Sequence, residues 1–194
     1  MKYFLWMWAT LLLWSCEPRL ENLPTFTDTR QVQAIVATPA GAGYQNKYSP
    51  ETGEFQKVQE AGQDKVIRFL PWPVNAGFIP STRQPKAPGS KNEPLSVVII
   101  AGSQEPGSVM EIMPLGVLIL EIAGEINYQV VATPAKPSER LLEATSYEDF
   151  SRENQAAKKI LETWFLNYDR SKQTKIMGWK DERFAEDLIR KWMI

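Results

Sequence analysis

The chain has 194 residues, 43% of them hydrophobic and 23% charged, with a formal net charge of -1 and no histidine. These values suit one globular domain with a tail, and the balanced charge excludes the concentrated basic surface of a nucleic-acid partner. The missing histidine excludes Ser-His-Asp and Cys-His catalysis and every His-ligated metal site, leaving carboxylates, lysines and tyrosines for chemistry.

Met1 and Lys2 precede an apolar run over residues 3–14. The run is shorter than the roughly 20 residues that span a bilayer and suits the core of a secretory signal. It ends in Leu13-Trp14-Ser15-Cys16, similar to a bacterial lipobox with the only cysteine at the acylated position, although Trp14 stands where a small residue is usual. Residues 1–15 then read as a lipoprotein-type signal peptide and Cys16 as the lipidation site. The alternative is an ordinary signal, or a buried N-terminal helix, with an incidental cysteine. The lipoprotein reading predicts a membrane partner through the anchor and a place in the bacterial cell envelope, facing outside the cytoplasm. Stable anchoring takes more than one acyl chain. Residues 16–30, polar and broken by Pro18 and Pro24, read as the lipidated cysteine and its tether. Residues 31–194 read as the folded domain.

Residues 31–38 alternate as a strand, closed by Pro39-Ala40-Gly41. Pro50-Glu51-Thr52-Gly53 marks a turn between two short strands. Residues 66–70 form a further strand candidate, residues 82–92 a loop rich in proline and glycine, and residues 95–101 a buried strand. Residues 116–122 and 128–133 flank Ala123-Gly124-Glu125-Ile126-Asn127 as a hairpin. Residues 147–168 carry Ala157, Ile160, Leu161, Trp164, Phe165 and Tyr168 on one helical stripe, and residues 181–193 carry Phe184, Leu188, Ile189 and Trp192. Short strands followed by two helices make an α+β domain.

Four stretches carry a resemblance. Trp72-Pro73-Val74-Asn75-Ala76-Gly77-Phe78-Ile79 is followed, after a polar loop, by Asn92-Glu93-Pro94-Leu95-Ser96 and an apolar strand. Pro106-Gly107-Ser108-Val109 precedes Pro114-Leu115-Gly116-Val117-Leu118, and residues 121–134 and 164–179 complete the set. In this order they resemble the soluble family I inorganic pyrophosphatases, whose signature runs Tyr-Pro-x-Asn-Tyr-Gly-Phe/Tyr-Ile and then Asp-x-Asp-Pro-x-Asp. The resemblance covers most of the chain from residue 35 onward. It implies a small five-stranded, OB-like β-barrel with C-terminal helices packed outside, magnesium-dependent hydrolysis of diphosphate to phosphate, and homo-oligomers. Carboxylates in that family hold metals that activate a water, while Lys, Arg and Tyr hold the phosphates.

On this resemblance the family's first-strand glutamate falls at Ala37 and its Lys-x-Glu pair near Lys47 and Ser49. The phosphate-binding arginine falls at Lys65 and the two tyrosines at Trp72 and Ala76. The aspartate triplet falls at Lys91, Glu93 and Ser96, the next two aspartates at Glu121 and Ile126, and the lysine beyond at Gln129. The helical Tyr-Lys pair is Tyr168-Asp169. Glu93 and Glu121 are thus the candidate metal ligands, Glu93, Glu121 and Tyr168 the residual catalytic candidates, and Lys47 and Lys65 the substrate-binding ones. Pro73, Asn75, Gly77, Pro94, Gly116, Gly124, Pro134 and Gly178 all match, and proline and glycine set backbone shape rather than chemistry.

Three functional readings follow. In the first, the chain is catalytically degenerate and serves as an envelope-anchored binding or scaffold module, with Lys91 pairing Glu93 or Glu121. In the second, it is an active inorganic diphosphatase or phosphohydrolase with a metal site rebuilt from Glu93, Glu121 and either Glu125 or Asp169. In the third, the barrel binds diphosphate or another anion without cleaving it, through Arg83, Lys86, Lys91, Lys65 and Lys47, which otherwise are solvated charges. Convergence of three carboxylates separates the second reading from the others.

Overall fold

The structure is a computed structural model that describes residues 19–85 and 93–194. The expected signal peptide, Cys16, Lys86 and Lys91 lie outside the described residues.

The strands are β1 (Val32–Thr38), β2 (Asn46–Ser49), β3 (Glu54–Lys57), β4 (Gln59–Glu60), β5 (Gln63–Asp64), β6 (Asn75–Gln84), β7 (Glu93–Ile99), β8 (Val109–Ile122), β9 (Glu125–Pro134) and β10 (Thr174–Lys180). The helices are α1 (Tyr147–Arg152), α2 (Gln155–Asn167) and α3 (Glu182–Trp192). β1 pairs with β6, β6 with β7, β7 with β9, β9 with β8, and β8 back with β1. The result is the expected closed ring of five strands, with β7–β9 its parallel junction. β10 lies outside the ring, paired with the second half of β8. β2–β3 and β4–β5 are separate small hairpins.

Strand alternation divides the apolar residues between two cores. Val36, Ile79, Val97, Ile112 and Val130, one from each ring strand, share a core with Ala185, Leu188 and Ile189 of α3. Val98, Leu118, Leu120 and Val131 point the other way and pack under Trp72, Phe150, Leu161, Trp164 and Phe165. Both faces of β7 are therefore covered, which is why residues 97–100 read as an unbroken apolar run. The 3.6-residue stripe of α2 supplies Leu161, Trp164 and Phe165 to the second core. Gly77 lets β1 approach β6: a Cβ there would lie 1.9 Å from the Ile35 carbonyl oxygen.

Several elements differ from the sequence reading. The expected helix over residues 147–168 is two helices. α1 begins with a capping box between Ser146 and Asp149, and the chain leaves helical geometry at Asn154 (φ -118°, ψ 36°), whose amide donates to the Asp149 carbonyl oxygen. Asparagine competes in this way with helical bonding. The hairpin turn is only Ala123-Gly124, both at positive φ (52° and 86°), so the strands run longer than the sequence suggests. β6 extends to Gln84, pairing with Glu93, where a loop was expected from residue 82. Residues 66–70 form no named strand; Val66 makes one bridge to Tyr44. β10 has no counterpart in the sequence reading.

The expected tether is a docked arm from Arg19 onward. Leu20–Asn22 form a 3₁₀ turn, and Leu20 and Leu23 pack on Ile35, Tyr48 and Phe78. Ser81 Oγ donates to the Leu23 carbonyl oxygen (2.8 Å) and Thr25 Oγ1 to that of Pro80 (2.9 Å).

Candidate functional site

A cavity of about 510 Å³ opens between β2, the face of the ring formed by β6, β7 and β9, and the end of α2. Ala76, Phe78, Ser96 and Gln129 line the sheet side, Lys47 and Tyr48 come from β2, and Tyr168, Asp169 and Lys172 come from the α2 end. The parallel pairing sets Ser96 beside Gln129. With its amide oxygen toward the strand, Gln129 accepts from the Val97 and Val98 N–H groups at 3.1 Å each.

Among the described residues, three lysines, Lys47, Lys65 and Lys172, and three carboxylates, Glu93, Glu125 and Asp169, line the cavity. Lys47 pairs with Glu93, both at the solvent-exposed rim; such a pair contributes little to stability. Lys65 Nζ donates to Asp169 Oδ2 at 2.5 Å, with side chains only 13% and 5% exposed. Ser171 donates to the other carboxylate oxygen from its N–H (3.1 Å) and its hydroxyl (2.5 Å). Burial pushes the Asp169 carboxyl up, but the bonds from Lys65 and Ser171 outweigh it and hold it below the ordinary carboxylate value.

Tyr168 stacks on Trp164 with centroids 4.7 Å apart, and Trp164 in turn packs 4.0 Å from Trp72. Burial, followed by the neighbouring Asp169 charge, pushes the Tyr168 phenol up to about 12. It is a neutral hydroxyl at neutral pH and no base. The unfolded phenol ionises near 10 while the folded one stays protonated, so this residue's contribution to stability is complete below pH 10 and is lost as pH rises toward 12. Ultraviolet titration of phenolate in the folded protein is expected to show a late step near pH 12 that Tyr168→Phe removes. Full ionisation by pH 11 with the fold intact would refute this. The Trp72 indole N–H is buried with no hydrogen-bond partner among the described residues.

The structure thus brings together Glu93, Lys47, Lys65 and Tyr168 of the sequence-derived candidates, and it places Glu121 elsewhere. Glu121 lies on β8 opposite Lys175 of β10 and accepts from its Nζ at 2.7 Å, outside the cavity. The two-residue turn accounts for this. Glu121 and Ile126 are directly paired and share one face of the hairpin, so the cavity-facing residues are those of the other face, Ile122, Glu125, Asn127 and Gln129. Lys172 was not singled out by the sequence; only its position just beyond Tyr168-Asp169 pointed to it. Arg83 is exposed on β6 and does not line the cavity.

Magnesium takes hard oxygen ligands in near-octahedral geometry. Among the described residues no group of three or more Asp, Glu, Cys or His converges in a way that holds a metal. Glu93 and Asp169 are each engaged by a lysine, Glu125 lines the same cavity without forming a ligand group with them, and Ile122 and Ser96 offer a methyl-bearing chain and a neutral hydroxyl. These residues do not fit a multi-metal cage.

The family described as inorganic pyrophosphatase matches residues 34–194. The inorganic pyrophosphatase of Sulfolobus acidocaldarius is 29% identical over 163 residues, covering 81% of this chain and 87% of that protein. That of Agrobacterium fabrum is 30% identical over 167 residues, covering 81% and 85%. The crystal structure of inorganic pyrophosphatase from Thermus thermophilus superposes with a TM-score of 0.72 at 23% identity, over 89% of this chain and 95% of that one. This last likeness is one of fold.

Proposed function

The chain belongs to the inorganic pyrophosphatase family, and from that premise we propose that it is a member that does not hydrolyse diphosphate. In this reading it acts as a binding or scaffold module, anchored to the bacterial envelope by a lipid on Cys16. The observation that carries the loss of hydrolysis is the Lys65–Asp169 pair. On the resemblance, these two positions hold the family's phosphate-binding arginine and a lysine. Here one cation has become a carboxylate and neutralises the other at 2.5 Å. An incoming diphosphate would have to compete with Asp169 for Lys65 and with Glu93 for Lys47, in a cavity whose lysines and carboxylates balance among the described residues. A charged ligand gains little from a cavity that offers no net opposite charge. Among the described residues, no carboxylate group is arranged to hold the metals that would lower the pKa of a water.

The competing reading, an active diphosphatase with a rebuilt site, is favoured by relatives called inorganic pyrophosphatase that align over most of this chain. Phosphate release from diphosphate in magnesium separates the two. The folded, purified protein and its Glu93→Ala variant are expected to stay equally at background. Magnesium-dependent release that disappears in Glu93→Ala would overturn the proposal.

A further inference from the structure

The arm at residues 19–26 bears on how the barrel would sit at a membrane. It is held by apolar packing of Leu20 and Leu23 and by the bonds from Ser81 and Thr25. Only three peptide links separate Cys16 from Arg19, the first described residue, a reach of roughly 11 Å even fully extended. A domain of this length has a radius of gyration of roughly 16 Å. The leash is therefore shorter than the body that it would hold, and the body has no room to turn its far side to the membrane.

We infer that the barrel face carrying the arm lies against the lipid surface. This rests on the proposed lipidation of Cys16. Tyr48 and Phe78, on which the arm packs, also line the cavity. These two side chains put the cavity next to the arm and so beside the lipid-facing side.

The test uses the full chain, expressed in bacteria and purified with its lipid, in vesicles of phosphatidylethanolamine and phosphatidylglycerol doped with a nickel-chelating lipid. A nitroxide is placed at Asn22→Cys on the arm or, in a second variant, at Lys159→Cys on α2; both residues are exposed. Nickel is expected to enhance relaxation several-fold more at position 22 than at position 159. A long Gly-Ser insertion between Pro18 and Arg19 is expected to erase that difference. Equal enhancement at both sites in protein shown by mass to carry acyl chains on Cys16 would overturn the orientation and leave the lipoprotein reading standing. Absence of acyl mass on Cys16 would overturn both.

Discussion

Trp164→Ala is expected to lower the unfolding free energy by about 4 kcal/mol, the upper range for removing a large buried ring. The indole is 2% exposed and lies against Trp72, Phe165 and Tyr168 with centroids 4.0, 5.3 and 4.7 Å away. Its Nε1–H also donates to the Leu70 and Pro71 carbonyl oxygens at 2.9 and 3.0 Å. Truncation opens a cavity under Trp72 and leaves both carbonyls short of a donor. Trp164→Phe keeps a six-membered ring but loses the donor and part of the buried volume, so a smaller loss of about 2 kcal/mol is expected there. Urea melts of the three proteins check the ordering. A loss below about 1 kcal/mol in the alanine variant would show that the second core repacks without its central ring.

Asp169→Ala is expected to cost about 3–5 kcal/mol, because it strands the largely buried Lys65 ammonium without its carboxylate. The double variant Lys65→Met/Asp169→Leu should recover most of that loss, since an apolar pair of similar volume replaces a desolvated ion pair at little net cost. If the double variant is as unstable as the single one, the Ser171 bonds to Asp169 dominate instead. The pair also sets an acid limit. The Asp169 carboxyl sits below its unfolded value, so its contribution is complete above about pH 4 and is lost as pH falls through the lowered folded value. Wild-type urea midpoints should fall more steeply below about pH 4 than those of the double variant. Parallel acid profiles would remove Asp169 from the account.

The ring of strands was legible because glycine, proline and Asn75 report backbone geometry directly. Gly77 matches the family frame because only a missing side chain lets β1 close on β6. Asn75 matches because its side chain ties the Ala40 and Gln104 N–H groups to the Gly102 carbonyl. The cavity was legible only in part. Lys65 and Asp169 are 104 residues apart, and linear spacing says nothing about such a pair. Glu121 lies outside the cavity because the turn tightens to Ala123-Gly124, and in a strand one residue reverses the face. β10 was missed because its half-exposed residues Thr174, Ile176 and Trp179 alternate only weakly with Lys175 and Met177, and a bulge at Ile176/Gly178 breaks the pattern.

β8 bears on the order in which the chain assembles during synthesis. Its first residues, 109–112, close the ring against residues 32–35, and the interior is then completed by Ala185, Leu188 and Ile189. A nascent chain thus has no sealed interior until α3 has been made. Contacts so distant along the chain bring slow closure. If the proposed lipoprotein signal takes the chain across a membrane before it folds, that delay keeps it threadable.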